Sequence, residues 1–151
     1  SMSVRENLEM GSYLLRGDRA LQHERIERVL EDLPALVDRL DHPAGVLSGG
    51  QQQQVALARV LMHEPEVLII DELSLGLAPT IVAELLDVLA RIKEQRGQSM
   101  IIVEQSLDVA LRIADRAVFM EKGAVRFEGP ASELAERDDL ARAVFLGTEG
   151  G

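Results

Sequence analysis

The chain contains 151 residues, of which 46% are hydrophobic, so it is long and apolar enough to form a globular core. Its 16 basic and 26 acidic residues give a net charge of -10, which argues against nucleic-acid binding because phosphates require a basic surface. The absence of cysteine excludes a disulfide framework, a thiolate zinc site and a cysteine nucleophile. No apolar run is long enough to span a bilayer and no signal peptide is visible, which predicts a cytosolic setting.

The region before Pro65 has helical periodicity. Asp18 is a predicted N-cap and Pro34 a predicted helix stop. We assign residues 1–65 to a helical subdomain that includes the Leu47–Gln51 motif and the helix after it. Apolar residues at helical spacing predict helices over 5–15, 18–33 and 51–63.

The region after Pro65 alternates between strand and helix patterns, which is typical of a layered α/β sheet. The apolar runs 67–70 and 100–103 are continuous, which predicts strands buried on both faces of a parallel sheet. We assign residues 66–151 to one half of an α/β core. The remaining predicted elements are helices over 80–95, 107–114, 131–137 and 139–145, a strand over 116–120 and a hairpin strand over 125–128.

A glycine pair stands where the helix over 51–63 begins. Gly49 and Gly50 allow backbone N–H groups to approach a ligand closely, and a helix N-terminus carries partial positive charge, so the segment is a candidate phosphate site. The alternative is that Ser48 is an ordinary N-cap and the glycines form a turn.

An acidic pair, Asp71-Glu72, follows the first predicted strand. Ligands of open α/β sheets bind beyond the carboxyl ends of the strands. An aspartate at that place can hold Mg²⁺, and the adjacent glutamate can polarise a water molecule. The alternative is an acidic pair that is merely exposed to solvent.

In their order and spacing, these segments resemble the motifs of the ABC-type ATPase family. LSGGQ at 47–51 resembles its signature motif, and VLIIDE at 67–72 resembles its Walker B strand with the catalytic glutamate. SLGLAP at 74–79 stands at the D-loop, and IIVEQS at 101–106 stands at the switch strand and its loop. The D-loop and switch segments are similar to those of ATPase subunits of branched-chain amino-acid importers.

The resemblance implies a fold and a set of roles. The fold is a partial P-loop NTPase-like ABC ATPase core, with a short, mostly parallel sheet flanked by helices, and an α-helical subdomain. ATP and Mg²⁺ are the implied cofactors, with Asp71 as the Mg²⁺ residue. Glu72 is the implied general base, and Gln105 the implied γ-phosphate contact. The residues implied to bind nucleotide are Ser48, Gly49, Gly50, Gln51 and Ser74.

The chain departs from the family pattern at several points. Gln105 replaces the switch histidine, so it can donate a hydrogen bond but cannot take a proton. Leu73 replaces a proline, and Gly76-Leu77 replaces Leu-Asp in the D-loop. The Walker A pattern G-x-x-x-x-G-K-[ST] is absent, because neither Lys93 nor Lys122 follows a glycine. We therefore expect the chain to be the C-terminal part of such a domain and to lack ATPase activity by itself.

The predicted function is the ATP-hydrolysing subunit of an ABC importer for branched-chain or other hydrophobic amino acids. Its predicted partners are a second ATPase subunit, arranged head to tail, and membrane permease subunits, which would place it on the inner face of the cell membrane. One alternative is a non-catalytic, truncated interaction module. A non-transport ABC ATPase is the other, and the acidic charge argues against it. Half of a sheet is also expected to expose an apolar strand edge.

Overall fold

The computed structural model describes residues 2–13 and 17–137, which divide into two compact units. The first unit contains the chain up to Leu68 together with Gly76–Met100, and the second contains Ile69–Leu75 and the chain from Ile101 onward. The assignment of residues 1–65 and 66–151 to two domains stays a prediction. None of the helices in the described ranges is long and apolar enough to cross a membrane.

The described part of the first unit contains four α-helices, and local caps explain where three of them begin. Ser3 and Glu6 form a capping box at the start of α1, and the Asp18 side chain accepts a hydrogen bond from the N–H of Leu21 at the start of α2. The N-cap prediction for Asp18 is therefore confirmed. The helices are α1 (Val4–Gly11), α2 (Arg19–Asp32), α3 (Gly49–Leu61) and α4 (Pro79–Arg96).

Helix α2 ends two residues before Pro34, as predicted, but the chain then continues as 3₁₀ turns that the periodicity did not predict. These turns span Pro34–Arg39 and Ala44–Val46. They lead the chain from α2 to the cap of α3, and Leu36 within them is fully buried. Pro34 favours the first 3₁₀ turn, because its ring fixes its own φ near the helical value. Its missing N–H costs nothing there, since the first N–H of a helical turn has no partner within the turn.

The core of the first unit lies among its helices. Helix α1 approaches α3 closely at Gly11, where an added Cβ would lie 2.6 Å from the carbonyl oxygen of Arg59. Only glycine permits that backbone separation. The largest side chains that are fully buried in this core are Leu8, Leu33, Leu36, Leu61 and Met62.

Strands β1 (Val67–Asp71) and β2 (Ser99–Val103) pair as a short parallel sheet. The prediction that they are buried on both faces is wrong. Exposure alternates along both strands, with Leu68 buried and Ile69 67% exposed. Neighbouring side chains of a strand point to opposite faces, and within the described residues only one of the two faces is covered.

The second unit contains the predicted hairpin. Strands β3 (Arg116–Glu121) and β4 (Ala124–Pro130) pair antiparallel, with Phe119 opposite Phe127. The two residues of the loop, Lys122 and Gly123, both have positive φ (48° and 77°), as the tight hairpin turn requires.

Two short helices, α5 (Leu107–Leu111) and α6 (Ala131–Ala135), complete the described part of the second unit. Helix α5 is shorter than the predicted span 107–114, because the chain turns at Arg112. The predicted helix over 139–145 lies outside the described residues.

Candidate functional site

The glycine-containing segment 48–51 starts helix α3 in the first unit, and its two polar side chains form a capping box. Ser48 Oγ accepts a hydrogen bond from the N–H of Gln51 at 3.3 Å. Gln51 Oε1 accepts one from the N–H of Ser48 at 3.2 Å. The prediction that Ser48 is an N-cap is therefore confirmed. Its contact with nucleotide stays a prediction. The same box occurs at Ser3 and Glu6 of α1, which offers an internal control.

The two glycines of the segment have different surroundings. Gly50 is buried, and a Cβ there would lie 2.4 Å from Cγ2 of Ile81 in α4. Gly49 is exposed, and a Cβ there would meet only Cδ2 of Leu77, at an ordinary 3.6 Å. Packing therefore explains why Gly50 lacks a side chain but does not explain Gly49. The first N–H groups of a helix have no partner within it, so Gly49 offers an accessible donor for an anion.

The acidic pair lies in the second unit, where β1 ends. Asp71 is exposed, and its carboxylate has no hydrogen-bond or ion-pair partner among residues 2–13 and 17–137. Mg²⁺ binds one or two protein carboxylates and completes its shell with water and phosphate oxygens. A free carboxylate at the end of a strand fits that requirement, so Asp71 is able to hold Mg²⁺ beside a phosphate.

Glu72 adopts a left-handed backbone, with φ 51°. Its N–H donates to the carbonyl oxygen of Val103 at 2.9 Å, and its own carbonyl accepts from the N–H of Leu75 at 3.2 Å. A non-glycine residue in this region costs free energy, and such strain is found where the surroundings hold a functional side chain in place. The turn aims the Glu72 carboxylate toward the loop that follows β2.

The structure brings Glu72 and Gln105 together. Gln105 Nε2 donates a hydrogen bond of 2.6 Å to Glu72 Oε1, although the two residues are 33 positions apart. The Gln105 amide has no group that takes up a proton, so within this pair only the Glu72 carboxylate is able to accept one.

Ser74, another predicted nucleotide contact, is held by Glu104. Its N–H donates to Glu104 Oε1 and its hydroxyl donates to Glu104 Oε2, both at 2.8 Å. Sequence reasoning did not identify Glu104 as a functional residue. Its place directly after β2, matching that of Glu72 directly after β1, is the signal that could have pointed to it.

The comparisons with known proteins agree with the motif order. Residues 1–74 match a family model described as ABC transporter. The high-affinity branched-chain amino acid transport ATP-binding protein BraG of Pseudomonas aeruginosa is 38% identical over 97% of this chain and 61% of its own length. The probable branched-chain amino acid transport ATP-binding protein LivF of Archaeoglobus fulgidus is 32% identical over 94% of this chain and 59% of its own length.

A solved structure gives the same answer for the fold. The structure of cbiO1 from Clostridium perfringens, part of the ABC transporter complex cbiONQ, superposes with a TM-score of 0.84 at 29% identity. It covers 97% of this chain, which in turn spans 58% of that chain. The α/β fold with a short parallel sheet and flanking helices is thus confirmed. The chain belongs to the ABC transporter ATPase family, as the order of its motifs predicted.

Proposed function

We propose that this chain is part of the ATP-hydrolysing subunit of an ABC importer for branched-chain or other hydrophobic amino acids. The observation that carries the proposal is the hydrogen bond from Gln105 to Glu72 beside the unpartnered carboxylate of Asp71. In a family that hydrolyses ATP, this arrangement supplies a proton acceptor and a metal-binding carboxylate at the end of one strand. BraG and LivF, which are named for branched-chain amino acid transport, support the substrate class.

The roles in hydrolysis follow from the side chains. Asp71 holds Mg²⁺ against the phosphate oxygens of ATP. Glu72 orients the attacking water and accepts its proton, while Gln105 holds the Glu72 carboxylate and donates to the γ-phosphate. Phosphoryl transfer requires mainly positioning and charge stabilisation, to which these three groups contribute without a titrating histidine.

The start of α3 serves a second nucleotide. We infer that Ser48 and the N–H of Gly49 bind the γ-phosphate of ATP held by a second ATPase subunit, which requires a head-to-tail dimer. The exposure of Gly49 supports this role, because an added Cβ there would meet only the Leu77 side chain, at an ordinary contact distance of 3.6 Å. Permease subunits in the membrane are the further partners, and the ATPase subunits lie at its inner face.

A second candidate is a non-catalytic module that lends its signature helix to ATP held by another subunit. The observation that favours it is that the capped and exposed start of α3 lies in the first unit, whereas the acidic pair belongs to the second. In that case Ser48 and Gly49 would matter for a partner's turnover, whereas Glu72 would not.

The test uses a chimaera in which this chain replaces the part of BraG to which it aligns. Glu72→Gln in the chimaera should keep ATP binding and lower the turnover number by roughly a hundredfold or more, since it removes the general base. ATP binding is measured by equilibrium dialysis, hydrolysis by phosphate release, and transport by leucine uptake in cells that lack BraG. Unchanged hydrolysis by Glu72→Gln would refute the catalytic proposal and favour the non-catalytic module.

The signature serine has a matched control in the same chain. Ser48→Ala and Ser3→Ala each remove a capping-box serine, so each should destabilise the chain by about 1 kcal/mol. Only Ser48→Ala should also lower ATP turnover. Equal turnover in the two variants would reduce Ser48 to a helix cap.

A further inference from the structure

We propose that Glu104 is a positioning residue whose carboxylate clamps Ser74 and thereby couples the loop after β1 to the loop after β2 that carries Gln105. The inference rests on the proposed function for its consequence in hydrolysis. The clamp itself is a property of this chain and can be tested without nucleotide.

The clamp is bidentate. Both oxygens of the Glu104 carboxylate accept hydrogen bonds from one residue, the N–H and the hydroxyl of Ser74, at 2.8 Å each. Both side chains are half-buried, so water competes for these bonds only in part. Hydrogen bonds to an ionised acceptor are roughly twice as strong as neutral ones, and two donors on one residue also fix its orientation.

The clamp closes a ring of interactions between the two loops. The loop after β1 is residues 72–75, and the loop after β2 is residues 104–106. Besides the clamp, they are joined by the Gln105–Glu72 side-chain bond at 2.6 Å. The backbone bond from the Glu72 N–H to Val103, the last residue of β2, lies beside them at 2.9 Å. Because these bonds bracket the strained backbone of Glu72, the clamp restricts how the catalytic carboxylate can turn.

The ring also determines how the chain leaves β1. Leu75 follows the clamped Ser74 directly, and it is a large apolar side chain with 68% exposure. Displacement of Leu75 would therefore shift Ser74 and, through the clamp, Glu104. Gln105 would shift with Glu104, because the two residues are adjacent in the backbone. We infer that Glu104 transmits the position of this exposed turn to the Glu72–Gln105 pair.

Three variants separate the hydrogen bonds from the charge. Glu104→Ala removes both acceptors. Glu104→Gln keeps both bonds, because the amide oxygen accepts from the Ser74 N–H and the amide nitrogen donates to the Ser74 hydroxyl. Ser106→Ala is the control, since it removes a cap in the same loop that serves the N–H of Val109 and does not reach Ser74.

The first measurement is amide hydrogen exchange on the chain itself, followed by NMR. In Glu104→Ala the Ser74 amide should exchange roughly tenfold faster or more, while the amides of the helical core of the first unit keep their rates. Glu104→Gln and Ser106→Ala should leave the Ser74 amide slow. An unchanged Ser74 rate in Glu104→Ala would overturn the clamp, whatever the activity of the protein.

The second measurement is steady-state hydrolysis in the BraG chimaera. Glu104→Ala should lower kcat roughly tenfold with KM for ATP unchanged within about twofold, and Glu104→Gln should restore most of kcat. Wild-type kcat in Glu104→Ala, or a Glu104→Gln variant as slow as Glu104→Ala, would overturn the positioning role.

The Glu72→Gln chimaera separates the two proposals. If Glu72→Gln abolishes turnover and Glu104→Ala does not, the coupling inference fails and the proposed function stands. If neither change affects turnover, the proposed function fails, and the hydrogen-exchange result alone decides whether the clamp exists.

Discussion

The two compact units hold their residues in place by different means. The first unit buries a continuous set of apolar side chains between its helices, including Leu8, Leu61 and Ile92, none of which has exposed surface above 1%. In the described part of the second unit, only Ile113, Ala131 and Leu134 are buried apolar residues. The loops that follow β1 and β2 in this unit are joined by hydrogen bonds between polar side chains instead.

This difference separates the source of stability from the site of the proposed catalysis within one chain. Apolar burial stabilises the unit that presents the signature helix, because its free energy scales with the area removed from water. Each hydrogen bond contributes little net free energy, but it fixes the orientation of the two groups that it joins. In the unit that carries Glu72 and Gln105, the proposed function depends on how these side chains are oriented more than on a large apolar core. The exposed strand residues of this unit, Ile69, Ile101 and Val103, leave apolar surface for further protein to cover.

The largest expected effect contrasts the two units directly. Leu8→Ala removes a fully buried side chain of α1 and should lower the free energy of unfolding by about 2–5 kcal/mol. Ile101→Ala shortens a side chain that is half exposed and should cost about 1 kcal/mol or less. Urea unfolding, followed by circular dichroism, measures both. Equal losses would mean that the apolar face of β2 is covered in solution.

The next effect tests the tight helix crossing in the first unit. Gly11→Ala places a Cβ 2.6 Å from the Arg59 carbonyl oxygen, and because the obstacle is backbone, helix α1 has to move away from α3. We expect a loss of about 1–3 kcal/mol. Gly45→Ala is the control, since nothing lies within 4 Å of its added Cβ and its backbone is not left-handed. A Gly11→Ala variant as stable as Gly45→Ala would show that the crossing is looser than described.

The two glycines of the signature segment give a smaller and more specific contrast. Gly50→Ala should cost about 1 kcal/mol, because the flexible side chain of Ile81 has to move, and Ile81→Ala should relieve that cost in the double variant. Gly49→Ala should leave stability nearly unchanged and lower ATP turnover in the BraG chimaera. Normal turnover in Gly49→Ala would refute the phosphate role of this position.

The smallest expected effects are pH dependences of opposite sign. Burial raises the pKa of Asp32 above its usual 3.8, although Arg96 lies 2.5 Å away and opposes the shift. The folded state therefore holds the Asp32 proton more tightly than the unfolded chain, and this contribution to stability is lost as pH rises through the raised pKa. In Asp32→Asn, which resembles the protonated form, that loss should be absent.

Glu6 should show the reverse. Hydrogen bonds from the N–H and hydroxyl of Ser3 hold the pKa of Glu6 below its usual 4.5. The contribution of ionised Glu6 to the free energy of unfolding is present above pH 4.5 and is lost as pH falls through the lowered pKa. Glu6→Gln should remove this pH dependence. We would measure urea unfolding of both variants and the parent protein from about pH 3 to about pH 7, a range that spans the ordinary pKa values of Asp and Glu. Slopes of the same sign at Asp32 and Glu6 would contradict this account.

The sequence by itself determined the approximate positions of the helices in the first unit, the Asp18 cap and the family. Helical periodicity and the Asp18 cap depend on residues within one turn of each other, so they can be read without knowing the fold. The order of the motifs from Ser48 to Gln105 was sufficient to identify the ABC transporter ATPase family. The continuous apolar runs of β1 and β2, by contrast, predicted burial on both faces, because composition does not state how many layers of protein cover a strand.

Only the tertiary structure decided which residues act together. Glu104 and Ser74 are 30 positions apart, and Gln105 and Glu72 are 33 apart, so their hydrogen bonds exist only because β1 and β2 pair. The same holds for the two glycines of the signature segment. An added Cβ at Gly50 would clash with Ile81, whereas one at Gly49 would meet only Leu77 at an ordinary 3.6 Å. This distinction depends on the path of the whole chain between these segments.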